Sequence, residues 1–327
     1  MKGKSHKSFT VAAVVVTYNR KELLVDCLNS LIRQKRRPDA IYVIDNASQD
    51  GTPDYLIRKG FLKKGTLGEA KTTLYFGKEK VLFFYKRLAQ NLGGAGGFAE
   101  GMKAAYGAGY SHIWLMDDDA LAPPDTLAQL LTAYEELQES RHAVAALCPH
   151  VQHESGYYQE DHHKCVTSPF LQERPWYQCR KKWGKYILLD TNSFVGPLFS
   201  RKFVEKLGFP EPTFFIRGDD TEYTYRLSRH GKLLLLPDVI MIHRDRQAEL
   251  TLKDLYKFYY HYRNKIWFIK KFHRYNFLAY GYYLASAVRL FFFFVHRFGP
   301  QKETLNPLWG LWHGFGVNPA KASVVKL

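Results

Sequence analysis

Acidic residues are in short supply in this chain. Only 31 Asp+Glu stand against 47 Lys+Arg, leaving a formal net charge of +16 over 327 residues. Such an excess suggests a partner carrying negative charge: nucleic acid, an anionic membrane surface or a phosphorylated substrate. No RNA- or DNA-binding motif accompanies the charge, so no nucleic-acid partner is expected. Cysteine is scarcer still, and Cys27, Cys148, Cys165 and Cys179 show no paired spacing. With His162 and His163 they fit no structural-zinc pattern. Cys27 on an apolar helix face and Cys148 in an apolar strand read as core thiols. Reduced thiols and the lack of a signal peptide lead to the expectation of a cytoplasmic protein. No internal repeat is evident, and no glycine follows the first strand, which runs into Thr17-Tyr18-Asn19-Arg20. That omission argues against a dinucleotide-binding fingerprint, which belongs after the first strand.

What is present is an alternation of strands and helices. After a polar, basic tail (residues 1–8), expected to be disordered, Phe9–Tyr18 contains a β-branched run suited to a buried parallel strand. A helix follows, with Leu23, Leu24, Cys27, Leu28 and Leu31 on one face. Ile41–Ile44 and Val81–Tyr85 read as the next strands, with 59–80 between them a variable loop or hairpin. The fourth strand is His112–Met116; a helix over 125–140 and an apolar strand over 143–149 follow. This order predicts an α/β fold with a mostly parallel, Rossmann-like sheet flanked by helices. Residues 151–190 lack periodicity and read as loops over the active face. Beyond them, Leu188–Ser200, Arg201–Leu207, Phe214–Gly231 and Lys232–Arg244 read as ordered elements.

Three features carry chemistry. The apolar fourth strand delivers Asp117, Asp118 and Asp119 side by side. Burying like charges together is costly, so such a cluster sits where a cation can meet it. Alternation along a strand would turn Asp117 and Asp119 toward one divalent ion and Asp118 away from it. A second acidic cluster, Asp219, Asp220 and Glu222, opens a helix, where the dipole alone would favour it; Asp220 is the candidate proton acceptor. His243 ends an apolar strand, as a structural histidine or as a neutral third ligand of a cation site. Glycines in Asn91–Phe98 open a helix and let backbone approach an anion.

In order, Val15-Val16-Thr17-Tyr18-Asn19-Arg20, Ile44-Asp45-Asn46-Ala47-Ser48, Asn91–Phe98, Asp117-Asp118-Asp119, Gly218–Tyr223 and His243 resemble an inverting family-2 glycosyltransferase of the GT-A fold. The resemblance spans about residues 9–245 and is greatest to bacterial galactofuranosyltransferases, with rhamnosyltransferases near. It implies a donor site of Thr17, Tyr18, Arg20, Asp45, Asn46, Asn91, Gly93, Gly94 and Asp118, Asp45 accepting from uracil. It implies Mn²⁺ or Mg²⁺ on Asp117, Asp119 and His243, Asp220 as base, and Glu222 orienting donor or acceptor. The implied donor is a UDP-sugar, UDP-galactofuranose favoured and dTDP-rhamnose the rival. The implied acceptor is a polyprenyl-diphosphate-linked or oligosaccharide precursor of a surface polysaccharide. Polymerising relatives carry an additional N-terminal domain, so transfer of one or a few sugars is expected.

From Thr251 onward the chain changes character. It holds 12 Lys+Arg against two acidic residues, and 21 of the 51 aromatics. Such a mixture fits the water–lipid boundary. Phe277–Val295 approaches the roughly 17–25 residues needed to span a bilayer, but Arg289 near its middle makes spanning expensive. A helix lying in the interface is the favoured reading, ahead of a helix packed inside the protein and of a true span. The expected organisation is therefore a catalytic domain over 9–250 and a helical, membrane-associating, acceptor-side extension over 251–327, attached to the inner face of the plasma membrane. A basic lipid- or nucleic-acid-binding module would leave both acidic clusters unexplained. A phosphoryl-transfer enzyme or nuclease would leave Thr17-Tyr18-Asn19-Arg20 unexplained.

Overall fold

The computed structural model describes residues 9–66, 68–179, 182–244 and 249–317. The expected disordered tail, 1–8, lies outside the described residues, as does the Cys179 side chain. The first half runs β1 (Val11–Thr17), α1 (Lys21–Ile32), β2 (Ala40–Asp45), α2 (Thr52–Arg58), β3 (Glu69–Phe76), β4 (Glu79–Arg87), α3 (Gly93–Gly107), β5 (His112–Asp117), β6 (Ala120–Leu121), α4 (Thr126–Glu139) and β7 (Val144–His153). It continues with β8 (His163–Thr167), β9 (Gln172–Pro175), α5 (Trp176–Cys179), β10 (Lys182–Trp183), β11 (Tyr186–Leu188), β12 (Thr191–Asn192), β13 (Leu198–Ser200), α6 (Arg201–Leu207), α7 (Asp219–Ser228) and β14 (Lys232–His243). Three helices follow: α8 (Tyr256–Phe272), α9 (Phe277–Phe298) and α10 (Asn306–Gly316).

The main sheet has the order β10-β11-β14-β7-β13-β5-β1-β2-β4-β3. Its centre is parallel: β5, β1, β2 and β4 share one direction. β13 runs against both β5 and β7, and β3 turns back on β4 as the expected hairpin. Every residue of β1 is buried, as a strand covered on both faces requires. Because β1, β2 and β5 are parallel, Thr17, Asp45 and Asp117 end on the same edge of the sheet, where such folds place ligands.

The 151–190 segment departs from the expected loops. β8, β9 and β12 form a small antiparallel sheet of their own, while β10 and β11 extend the main one. Strands of two to five residues are too short to produce a readable alternation. Cys27 and Cys148 are buried free thiols. Cys165 is disulfide-bonded, correcting the reading of all four cysteines as reduced.

Two contacts lock the site-bearing elements. Gly93 (φ +71°) faces the Phe215 carbonyl so closely that a Cβ would collide with it. The Ala95 N–H donates to that carbonyl at 3.1 Å. Farther along α3, a Cβ on Gly97 would lie 2.5 Å from Val16 Cγ1, so glycine lets the helix settle onto β1. α8 then buttresses the Thr213–Arg217 segment from the other side. Buried Asn264 donates through Nδ2 to the carbonyls of Phe214, Ile216 and Arg217 at 2.9, 3.0 and 2.6 Å. Arg263, also buried, donates to Thr213 and Phe214 at 2.7 and 3.0 Å. Here the backbone is irregular, with positive φ at Phe215, Arg217 and Gly218, and these donors satisfy carbonyls no ladder would reach.

Candidate active site

At the carboxyl edge of β1, β2 and β5 lies a cavity of about 770 Å³. Its walls include Thr17, Tyr18, Arg20, Asn46, Asn91, Gly93, Gly94, Asp117 and Asp118. Asn46 ties β2 to the glycine turn: its Nδ2 donates to Gly93 O at 2.7 Å and its Oδ1 accepts from Leu92 N at 3.1 Å. Four aromatic or apolar residues complete the far wall: Phe215, Ile216, Tyr256 and Tyr260. The two tyrosines come from α8, one turn apart. Nothing in the sequence distinguishes them from tyrosines packed in a core.

The acidic triad is held by opposite charge and by donors. The Thr17 hydroxyl donates to Asp118 Oδ2 at 2.7 Å. One Arg20 nitrogen bridges Asp118 Oδ1 at 3.3 Å and Asp119 Oδ2 at 2.6 Å. Asp118 therefore does not turn away from its neighbour, contrary to the alternation expected of a strand. β5 stops at Asp117, and beyond it the chain turns, so the period of two no longer applies. The long-range approach of His243 has a simple cause. β6 pairs antiparallel with β14, with His243 opposite Ala120, and the Arg244 N–H donates to Asp119 O at 3.0 Å. His243 Nε2 thereby lies 3.4 Å from Asp119 Oδ1, an oxygen that is buried and has no hydrogen-bond partner.

Electrostatics follow from that crowding. Burial, then Asp119 and Asp118, push the Asp117 carboxyl well above the usual range. Burial and Asp119 push Asp118 up to about 6. Burial acts on Asp119 in the same sense, but His243 and Arg20 outweigh it and leave that carboxyl lowered. Groups of three or more His, Cys, Asp or Glu arranged to hold a metal are absent among the described residues. The donor set nonetheless fits a divalent cation: Asp119 Oδ1 is orphaned, a histidine nitrogen faces it, and two further carboxylates hold more negative charge than burial favours. Gln159, which the sequence did not single out, fixes the histidine. His243 Nδ1 donates to Gln159 Oε1 at 2.8 Å, so Nε2 is the ring nitrogen turned to Asp119.

Two expected site residues sit elsewhere. Asp45 is fully buried beneath the cavity, accepting from Tyr85 OH at 2.5 Å and Ser48 N at 2.7 Å. Its carboxylate organises the loop after β2 instead of lining the cavity. Glu222 is also fully buried. It accepts from Arg226 Nε at 2.9 Å and Nη2 at 3.0 Å and pairs with Lys271 at 2.8 Å. It is an internal ion-pair partner, turned into α7's packing by its place one turn before Arg226.

Asp219 and Asp220 open α7 and diverge. Asp219 Oδ2 would lie 3.9 Å from a Cβ on Gly94 at the donor-side cavity, and burial with Asp220 holds its carboxyl up to about 8. Asp220 faces Glu173, Lys164 and Arg217; burial and Glu173 raise its carboxyl, and the two cations oppose the rise. Both aspartates line a second cleft, of about 260 Å³, together with Arg217 and Gly218, which follow the Phe215 and Ile216 of the first cavity.

This architecture is that of a GT-A glycosyltransferase. A crystal structure of GalNAc-T7 with UDP, GalNAc and Mn²⁺ superimposes with a TM-score of 0.60 at 15% identity, covering 86% of this chain and 51% of that one. The mannosyltransferase PcManGT of Pyrobaculum calidifontis, in complex with GDP-Man and Mn²⁺, superimposes with a TM-score of 0.51 at 17% identity, covering 95% and 74%. Over residues 12–208 the sequence matches Glycosyl transferase family 2, and the chain belongs to that family. It is 31% identical over 235 residues to galactofuranosyltransferase GlfT1 of Mycolicibacterium smegmatis, and 32% identical over 227 residues to GlfT1 of Mycobacterium tuberculosis. Each alignment takes in 68% of this chain and 66% of the relative's length.

Gln159→Leu removes the acceptor that fixes the His243 tautomer. Mn²⁺ titration followed by electron paramagnetic resonance should show about a 10- to 100-fold loss of affinity. Unchanged affinity would mean His243 is not held for a metal by this contact.

Proposed function

We propose that the protein transfers a galactofuranosyl group, with inversion, from UDP-galactofuranose to a lipid-linked surface-polysaccharide precursor. The observation that carries this reading is the 770 Å³ cavity that sets the acidic triad against the glycine turn of α3; the similarity to galactofuranosyltransferases supports the choice of sugar. Thr17, Tyr18, Arg20, Asn46, Asn91, Gly93, Gly94 and Asp118 would bind the donor. The amide-rich turn at Asn91–Gly94 suits a diphosphate, and Tyr256 and Tyr260 offer faces for the nucleoside or sugar. Asp117, Asp119 and His243 would hold Mn²⁺ or Mg²⁺, whose bound charge stabilises the departing nucleoside diphosphate. Asp220, at the start of α7, would take the proton from the acceptor hydroxyl as that oxygen attacks the anomeric carbon.

The nucleotide is tested by thermal unfolding with UDP, dTDP and GDP, each with and without Mn²⁺. A ligand that binds only the folded state stabilises it by about 2.7 kcal/mol at a hundredfold excess over Kd. A metal-dependent shift with UDP alone is expected. A shift with dTDP instead would move the donor to dTDP-rhamnose, and no shift with any of them would remove the donor-site reading.

For the base, Asp220→Asn should lower kcat by roughly 10²–10⁴-fold while the UDP–Mn²⁺ shift survives. Ionised Asp220 is the active form and its carboxyl is raised. The acid limb of kcat/KM should therefore lie above the ordinary aspartate range, activity rising with pH through it. Near-normal turnover in the variant would take Asp220 out of the mechanism.

We further propose that residues 251–327 attach the catalytic domain, residues 9–250, to the cytoplasmic face of the plasma membrane. α9 is long and apolar enough to cross a membrane by length and composition. It is instead bound along its side: Ala279, Tyr283, Ala287 and Phe294 are buried, with Tyr283 OH donating to Leu171 O at 3.1 Å and Tyr262 OH bonded to Ser286 at 2.9 Å. The opposite face exposes Phe277, Leu278, Leu284, Phe292 and Phe293, and α10 adds Trp309 and Trp312. That arrangement supports a helix lying in the interface. The protein should cosediment with anionic vesicles and be partly released by salt, while Phe292→Ser with Phe293→Ser should stay in the supernatant with its unfolding temperature retained. A wild-type protein that stays soluble beside such vesicles would defeat the attachment.

A further inference from the structure

The second cleft has a charge pattern that the donor cavity does not explain. It is built by four separate elements: Lys164 on β8, Glu173 on β9, residues 217–221 at the entry to α7, and His261 and Lys265 on α8. Lys265 is consumed internally. Its Nζ lies 2.5 Å from Glu173 Oε2, with both side chains largely buried, and the Thr221 hydroxyl donates to the other Glu173 oxygen at 2.9 Å. This clamp ties the small sheet to α7 and α8 and neutralises itself. Burial opposes Glu173's charge, yet Lys265 and Lys164 hold its carboxyl down to about 2, so the clamp stays ionised at neutral pH. His261 is kept uncharged, its value pushed down to about 4 by burial and Lys265.

Two cations remain, Lys164 and Arg217, neither of which forms an ion pair among the described residues. They converge from β8 and from the left-handed turn before α7 on the side of the cleft where Asp220 sits. A solvated surface lysine or arginine needs no partner. Here, however, both line a half-open cleft of about 260 Å³, Lys164 half-buried and Arg217 exposed, and the cleft could admit a tetrahedral or carboxylate anion with part of an attached sugar. Asp220 is the negative charge left facing them: Glu173 is paired with Lys265, and the Asp219 carboxylate is turned toward Gly94 on the donor side.

We propose that Lys164 and Arg217 bind an anionic group of the acceptor, a phosphate or a carboxylate, and thereby hold the acceptor's sugar beside Asp220. The inference rests on the reading of Asp220 as the base and deepens it by naming what the acceptor must carry. Guanidinium and ammonium groups from two elements suit an oxyanion, the arginine presenting its planar fork and the lysine a point charge. A neutral acceptor would leave both cations facing the cleft with no function in recognition. Phe215 and Ile216 line the donor cavity and Arg217 and Gly218 the cleft, so one short segment carries the two sites side by side.

The test is calorimetric titration of inorganic phosphate, and separately of glucuronate, into the full chain saturated with UDP and Mg²⁺ and into the nucleotide-free chain. One anion should bind in both states, with Kd raised roughly tenfold by Lys164→Gln or by Arg217→Gln; Lys35→Gln, on the far surface, should change nothing. UDP affinity should be the same in all variants. A preference for phosphate assigns a phosphorylated acceptor, and a preference for glucuronate a uronate-bearing one. The proposal is overturned if neither anion binds, if binding is unaltered in both variants, or if UDP displaces the anion, which would put it in the donor cavity. A chain that fails to bind UDP would defeat the donor reading, and the nucleotide-free titration would still decide this one.

Discussion

Three carboxylates in succession at the end of a buried strand are the constraint around which the molecule is arranged. Two unit charges about 4 Å apart repel by about 4 kcal/mol at the effective dielectric of a protein surface, so three cannot be left to themselves. The chain answers with groups from distant positions: Thr17 at the end of β1, Arg20 just after it, and His243 at the end of β14. Each is delivered by a strand pairing. β1 lies beside β5 in parallel register, which sets Val16 level with Asp117. β6, only two residues long, turns back along β14 and brings His243 to Asp119. The ionic contacts and the sheet topology are thus one arrangement. A slip in either pairing would strand the triad without its partners.

A second constraint lies in the Thr213–Gly218 segment, whose irregular backbone satisfies few of its own carbonyls. Leaving a buried acceptor unpaired costs about 1–3 kcal/mol, and Asn264 and Arg263 between them serve five carbonyl contacts. The segment presses on Gly93 at the N-terminus of α3, while its continuation starts α7 with Asp219 and Asp220. α8 therefore sets the distance between the glycine turn and the second acidic pair. A helix beyond the region matched to the family is, in this sense, part of the site's frame.

The sequence was most legible where a single element carries its own signal. Buried strands, the helices α1, α4 and α6, and the glycine turn all follow from periodicity and punctuation, because β-branched runs and apolar stripes reflect burial directly. Legibility fell where a residue's role depends on what meets it from elsewhere. Asp45 has the position of a ligand-contacting residue at a strand end, but Tyr85 on the neighbouring strand reaches it first. Glu222 sits among acidic residues at a helix start, yet Arg226 four residues on and Lys271 on α8 claim it. Gln159 and Lys164 lie in a stretch whose strands are too short to show a period, and their roles come from His243 and Asp220 across the sheet.

α8 also explains why a basic, aromatic segment follows an acidic site. Its sides do different work: Tyr256 and Tyr260 line the donor-side cavity, His261 and Lys265 the second cleft, and Tyr262 and Ile266 the contact with α9 and α10. Gly310 and Gly314 let α10 lie almost against the α8 backbone, so the apolar surface of α9 and α10 is joined rigidly to the walls of both openings. A lipid surface engaged by Phe292, Phe293 and Trp312 would consequently be held at an offset from Asp220 set by the packing of α8, α9 and α10. An acceptor anchored in that surface would then lose freedom before it reached the cleft. Orientation of this kind lowers a barrier without any added contact to the reacting atoms. The positive charge of the same segment is divided: Arg263, Lys265 and Lys271 are taken up inside the protein, and the remainder would draw anionic lipid to the aromatic face.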